Sequence, residues 1–316
     1  MKTLHYSFAQ IEAFATIAET GSLSRAAIRL GKDRTTLRDL LDYLEDALGY
    51  ALFLREGRRM LLTPAGETLL GYAQKLLALE AETEFFLRDS GQLNQGELKI
   101  GAVGPFHVIE MVAAYSARHP GMKLSIRMGN SQQVLHDLEN YTTDVAVLAG
   151  LYDRPELLAR EYARHAIILF AHVDHPLARR EQVELAELHG LPLLLREQGS
   201  TTRTAIEAAL QAAGVKPRTQ LEIGSREAIR EAVARGLGIG AVSEAEFIAD
   251  PRFRPVRIAG DPACTTTYVY CMKERSESLL VRSFFKAIES NGGADLPTVR
   301  QTAPKPLKAP TAKKLA

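Results

Sequence analysis

The segment spanning residues 22–48, SLSRAAIRLGKDRTTLRDLLDYLEDAL, constrains the fold more than any other stretch of the chain. It reads as a short apolar-periodic helix, a turn at Gly31, Lys32 and Asp33, and a longer helix. In the longer helix Leu37, Leu40, Leu41, Leu44 and Leu48 recur at helical spacing. Asp33 stands where an N-cap is wanted, its carboxylate able to accept from the free amides of the first turn. Two helices joined by a tight glycine-containing turn form a helix-turn-helix, whose second helix lies in the DNA major groove. Phe8, Ile11, Phe14, Ala15 and Ala18 form the apolar face of a preceding helix, which makes a three-helix start.

The segment that follows, ALFLREGRRMLLTPAGETLL, reads as two short strands around a turn at Glu56 and Gly57, a wing. Arg55, Arg58 and Arg59 cluster at that turn. They are either phosphate contacts, which fix register and supply salt-dependent affinity, or the charges of a solvated hairpin tip. Beside a helix-turn-helix the first reading is favoured. Arg34, Thr35, Thr36 and Arg38 occupy the first turns of the second helix, where side chains meet base edges. Asp42, one turn beyond Arg38, is expected to pair with it. Lys+Arg 39 against Asp+Glu 38 does not point to a general polyanion binder, so whole-chain charge is silent and DNA contact has to come from local placement.

Residues 63–89 read as one long helix with Pro64 in its first turn. Its stripe, Leu69, Leu70, Ala73, Leu76, Leu77, Leu79 and Phe86, is too broad for a solvated connector. It pairs either with a second copy about a two-fold axis or with another part of this chain. The polar stretch 90–95 reads as a hinge. From Glu97 short apolar strands alternate with helices, the signature of an α/β sheet. The expected strands are 98–103, 123–128, 144–149, 166–171, 191–196, 238–243 and 267–272, and the expected helices are 106–118, 131–140, 201–213 and 226–235. Residues 292–316 read as a disordered basic tail with Arg300, Lys305, Lys308, Lys313 and Lys314 against Asp295.

The fold class is therefore α+β and multidomain. The winged helix-turn-helix takes residues 1–66, a linker or dimerisation helix with its hinge 67–95, and an effector-binding unit of two α/β lobes 96–291.

Ligands of such sheets bind beyond the carboxyl ends of strands, at helix amino termini. Ser200, Thr201 and Thr202 open one helix, so free amides, hydroxyls and the positive helix end suit a phosphonate, phosphate, sulfate or carboxylate. Arg203 either closes that site or holds its helix against the sheet. Asn130 and Ser131 open a second helix, Phe106 and His107 a third, and Ser225 and Ser243 are further candidates. For each of these, ordinary capping is the alternative.

The order of winged helix-turn-helix, long helix and two-lobed domain, with LEDALGYALFLREGRRMLLTPAGETLL, resembles the LysR-type transcriptional regulators. The motif residues are Leu44, Glu45, Leu48, Gly49, Leu52, Phe53 and Arg55, then Leu62, Thr63, Ala65 and Gly66. One departure is Asp33, Arg34 and Thr35, where the family usually has a Ser-Gln-Pro type start, so base preference does not carry over. The resemblance implies a lobed domain like the type 2 periplasmic binding proteins. It also implies double-stranded promoter DNA, a small anionic effector, RNA polymerase and further copies of the chain, as dimer or tetramer, as partners. The motifs GPFHV at 104–108, GNSQQVL at 129–135, REQGSTTR at 196–203 and the stretch 222–247 resemble the subgroup associated with 2-aminoethylphosphonate catabolism.

An enzyme is not expected, since no nucleophile elbow is present. Neither is a cofactor or metal: GLGIG at 236–240 enters a strand instead of opening a helix, and the eight histidines form no metal motif. Cys264 and Cys271 are too few for a disulfide framework. With no export signal or apolar span, the cytoplasm is the expected location and no membrane partner is expected. A solute-binding protein is the remaining rival.

Overall fold

The structure, a computed structural model, describes residues 6–57, 59–89, 93 and 96–292. Arg58, most of the 90–95 hinge and the basic tail with Arg300, Lys305, Lys308, Lys313 and Lys314 lie outside the described residues.

The chain opens with α1 (Phe8–Thr20), α2 (Leu23–Leu30) and α3 (Arg34–Leu48). Ser7 and Gln10 form a reciprocal cap at the start of α1. Gly31, at φ +62°, ends α2 in the left-handed region and turns the chain toward α3. One face of α3 buries Leu37, Leu41 and Leu44 against Ile11, Phe14 and Ile17 of α1. Burial of each such side chain contributes about 1.5–3 kcal/mol, so the opposite face of α3 is presented to solvent on a fixed frame.

The wing is the antiparallel pair β1 (Phe53–Glu56) and β2 (Arg59–Leu62). Three sets of bonds hold it in place. Met60 N donates to Gly21 O (3.0 Å). Glu45, near the end of α3, accepts from Leu52 N (2.6 Å) and Phe53 N (3.2 Å). The Thr63 hydroxyl donates to Ala51 O (3.0 Å) and lies 3.2 Å from Leu52 O. Next comes α4 (Pro64–Asp89), whose Ala73, Leu69, Leu70 and Leu77 join the helix-turn-helix core. Tyr72, Leu79 and Leu87 of the same helix are exposed.

The larger unit contains β3 (Gly96–Ala102), α5 (Pro105–Arg118), β4 (Met122–Met128), α6 (Ser131–Glu139), β5 (Val145–Ala149) and β6 (Leu157–His172). It continues with β7 (Gln182–Val183), β8 (Pro192–Leu195), α7 (Thr201–Ala212), β9 (Arg218–Glu222), α8 (Arg226–Ala234) and β10 (Ile239–Ser243). It ends with β11 (Phe253–Ile258), β12 (Cys264–Met272) and α9 (Leu279–Gly292). Along the sheet the order is β4-β3-β5-β12-β6-β10-β8-β9, with β11 against β6 and β7 against β11. The long antiparallel strands β6 and β12 run from one half into the other. One core gathers around β3, β5, α5 and α9, the other around β8, β10, β11 and α7.

Every strand and helix expected in this unit is present, and several that were not expected accompany them. The expected strand at 166–171 is only the apolar end of β6, and β7, β9, β11 and α9 are additions. Leu93, in the expected hinge, is buried in the first of the two cores. Among the described residues no helix is long and apolar enough to cross a membrane.

Candidate DNA-reading surface and effector cleft

The start of α3 is built by Asp33, which accepts from Thr35 N and Thr36 N, both at 2.9 Å. The Thr36 hydroxyl also donates to this carboxylate, and that bond, with the amide bonds, holds the Asp33 carboxyl below the usual carboxylate range. Thr36 is thus part of the cap. Arg34 and Thr35 are exposed, and Arg38 is half-buried.

The expected Arg38–Asp42 pair is not formed. Arg38 is half-buried while Asp42 is exposed, and an i,i+4 pair with the cation on the amino-terminal side is the weaker orientation. On the wing, Arg55 faces Met60 across the ladder and Glu56 faces Arg59. Directly paired residues project from the same face of a hairpin, so Arg55 and Arg59 leave from opposite faces and do not form one patch. Glu45 was missed as a site-building residue, although the Leu-Glu motif carried it. Its carboxylate fixes the angle between recognition helix and wing.

In the larger unit, the amino ends of α5, α6, α7 and α8 follow strands β3, β4, β8 and β9. Ser200 caps α7, accepting from Arg203 N (3.4 Å). Thr201 is half-buried and Thr202 buried. An ideal Cβ at Gly150, which follows β5 in the other half, would stand 3.7 Å from Thr201 Cγ2. Gly104, the cap position of α5, lies against Glu246 and Arg226, with an ideal Cβ 3.5 Å and 3.7 Å from their charged ends. The two halves therefore approach each other at the starts of α5 and α7.

Ser243 is buried, and its Oγ is 3.2 Å from the Thr265 hydroxyl on β12. Thr265 sits opposite His165 of β6, so both side chains leave the same face of the crossover strands. His165 stacks on His107 of α5, ring centroids 5.1 Å apart at 18°. Burial lowers the His107 pKa, and the His165 neighbour lowers it further. His165 Nε2 is buried with no hydrogen-bond partner.

Other candidates are spent on local structure. Arg203 donates to Glu207 (2.9 Å), Glu222 (2.6 Å) and Arg196 O (2.8 Å), so it holds α7 against β8 and β9 and does not close the site. Asn130 caps α6 by accepting from Gln133 N (2.9 Å), with Ser131 half-buried beside it. Ser225 caps α8 and donates to Glu227 (2.6 Å). Phe106 is half-buried at the start of α5.

Two arginine–carboxylate pairs near the starts of α7 and α8 were not foreseen. Arg196 binds Glu197 through Nε and Nη2 (2.7 and 2.8 Å), and Arg226 binds Glu246 through the same nitrogens (2.9 and 3.1 Å). Each is a fork geometry that an oxyanion can compete for. No sequence spacing links Arg226 to Glu246.

The geometry has its counterpart in known proteins. A model of the LysR substrate binding domain matches residues 91–292, and one of the bacterial regulatory helix-turn-helix proteins of the lysR family matches residues 8–67. The chain belongs to the LysR family of transcriptional regulators. A RuBisCO operon transcriptional regulator of Acidithiobacillus ferrooxidans is 31% identical over 79% of this chain and 82% of its own length. The HTH-type transcriptional activator CmpR of Synechocystis is 29% identical over 89% of this chain and 93% of its own. The solved structure of full-length CbnR complexed with its target DNA shares the fold, with a TM-score of 0.67 and 22% identity over 90% of this chain and 100% of that one. This LysR-type protein is thus a DNA-binding transcriptional regulator and not an enzyme.

Proposed function

We propose that this regulator reads DNA through the first turns of α3 and responds to a small oxyanion held between the two α/β halves at the start of α7. The observation that carries the effector half is the meeting of Gly150, from one half, with Thr201 at the start of α7 in the other. Helix-start amides with the positive helix end favour an anion. Thr201 and Thr202 supply amides, since the Ser200 amide is bonded to Glu197 O, while Ser243 and Thr265 supply hydroxyls and His107 an imidazole. Arg196, which follows β8, and Arg226, beside Gly104 at the start of α5, are candidates to exchange a carboxylate partner for the ligand.

Of the oxyanions, 2-aminoethylphosphonate is supported by the motif resemblance and by the mixed charge of this region. Its phosphonate suits the helix start, and its ammonium suits Glu197 or Glu246. The relatives described above, a RuBisCO operon regulator and the activator CmpR, are not named for a phosphonate. Oxyanion is therefore the proposed class, with this compound as one member. The exposed Tyr72, Leu79 and Leu87 of α4 support pairing of two copies through that helix, which would place two α3 helices on a two-fold DNA site. On DNA, Arg34, Thr35 and Arg38 would meet bases, with Arg55, Arg58 and Arg59 near phosphates.

Calorimetric titration of the full-length protein with 2-aminoethylphosphonate, phosphonoacetate, phosphate and sulfate tests the effector reading. Saturable binding of at least one, weakened tenfold or more by Thr265→Val, which removes a proposed hydroxyl contact, is expected. No binding by any of the four would remove the oxyanion from the account.

A further inference from the structure

The turn after β5 brings the first half against the second. Gly150 stands at φ +91°, a left-handed value that a side chain would strain, and Thr201 Cγ2 at the start of α7 is 3.7 Å from where a Cβ would stand. The groups that hold this turn lie on β12, the strand that runs between the halves. Gly150 N donates to Thr266 O (2.8 Å). The Tyr270 hydroxyl, further along β12, donates to Gly150 O (2.8 Å) and accepts from Tyr152 N (3.0 Å). Both directions are fixed, because an amide N–H only donates and a carbonyl only accepts.

We propose that Tyr270 is the positioning residue of the effector cleft, its hydroxyl fixing the 150–152 turn against the start of α7 and thereby setting how tightly the effector is held. This rests on the oxyanion reading above.

The Tyr270 ring is fully buried, in a core with Leu148 of β5, Leu138 of α6 and Met272. It also stands against the rings of Tyr152 and Tyr268, each centroid 6.2 Å away. Packing on several sides leaves the hydroxyl little freedom to follow the turn, so the turn follows the hydroxyl. Phenylalanine would fill the same core, and what the hydroxyl adds is the pair of bonds to the turn. Burial pushes the Tyr270 pKa up, so the proton given to Gly150 O is held at neutral pH.

Beyond Tyr152, residues 153–156 are exposed. The chain is caught again at Lys273, which donates from its backbone N to Glu156 O (2.8 Å) and from Nζ to Pro155 O (3.0 Å). Without the Tyr270 hydroxyl the turn keeps the Gly150 N–H bond and loses the two on either side of Leu151. A turn already in its bound shape need not be ordered by the ligand, and affinity is higher by that ordering cost.

The test is calorimetric titration of the full-length protein with sulfate, phosphate and 2-aminoethylphosphonate, on the wild type, Tyr270→Phe and the control Tyr115→Phe. Tyr115 is equally buried, and its hydroxyl is 3.0 Å from Ser283 Oγ in the core on the other face of the sheet. Each variant loses a buried hydroxyl and should unfold at a lower temperature. Only Tyr270→Phe should weaken oxyanion binding, by about tenfold, the order of one hydrogen bond, with DNA binding in the absence of effector unchanged. In the wild type, hydrogen exchange should show the Tyr152 amide protected before any anion is added. Unchanged affinity in Tyr270→Phe, an equal loss in Tyr115→Phe, or a Tyr152 amide that exchanges freely overturns the inference while leaving the oxyanion reading intact. Failure of every oxyanion to bind the wild type overturns that reading, and the inference with it.

Discussion

Arg275 offers the sharpest stability test. It follows β12 and is 8% exposed, with Nη1 2.7 Å from Asp144 Oδ1 and Nε 3.4 Å from Glu82 Oε2 of α4. Asp144 is buried as well, and its second oxygen accepts from Lys99 N at 2.8 Å. Arg275→Met removes the guanidinium paired with Asp144 and leaves a buried carboxylate accepting from one amide. Breaking a buried pair from one side costs about 3–5 kcal/mol. The retained Lys99 bond argues for the lower figure, about 3 kcal/mol.

A domain of this size loses roughly 2–4 °C per kcal/mol, so thermal unfolding of the larger unit should fall by about 6–12 °C by the same scaling. Asp144→Asn in the same chain removes the stranded charge while keeping an acceptor for Lys99 N. The double variant should therefore be more stable than Arg275→Met alone. Glu82 is more exposed and its contact longer, so Glu82→Gln should cost under about 1 kcal/mol. An unchanged midpoint in Arg275→Met, or a double variant no more stable than the single, would refute the reasoning.

Two predictions concern the wing. In Gly66→Ala the added methyl would lie 2.3 Å from Leu52 O, a backbone atom that cannot swing away. A loss of about 1–3 kcal/mol in unfolding free energy is expected, together with weaker DNA binding; wild-type stability would contradict it. Glu45→Ala strands the amides of Leu52 and Phe53, costing about 1–3 kcal/mol. Hydrogen exchange should show the wing loosened before the core of α1, and uniform loosening would contradict a local role.

The first domain was legible because its signals are local. The cap at Asp33, the glycine turn, the leucine spacing of α3 and the hairpin turn lie within a few residues of what they specify. The larger unit was legible where strands are apolar and failed where they are not. The first half of β6, LLAREYARHA, crosses between the halves with both faces partly exposed, so it has no alternating pattern to read. The edge strand β9 opens with Arg218 and carries too little apolar sequence to stand out. Leu280, Phe284, Phe285 and Ile288 did carry helical spacing for α9, and they are buried as that spacing implies.

For the site, capping positions were visible, but their use was not. Whether Arg203 faces a ligand or its own sheet depends on Glu222, nineteen residues on in sequence. Arg226–Glu246, His107–His165 and Arg275–Asp144 are likewise set by tertiary packing, which no spacing encodes.

The central claim, that the start of α3 reads DNA sequence, is tested most directly by selecting bound duplexes from a random pool with the full-length protein. The wild type should enrich a two-fold related pair of half-sites, and Arg34→Ala with Arg38→Ala should lose preference within each half-site, with a deficit of about 1–3 kcal/mol per lost base contact. Enrichment of the same half-sites, with the same base preferences, by the double variant would contradict the account.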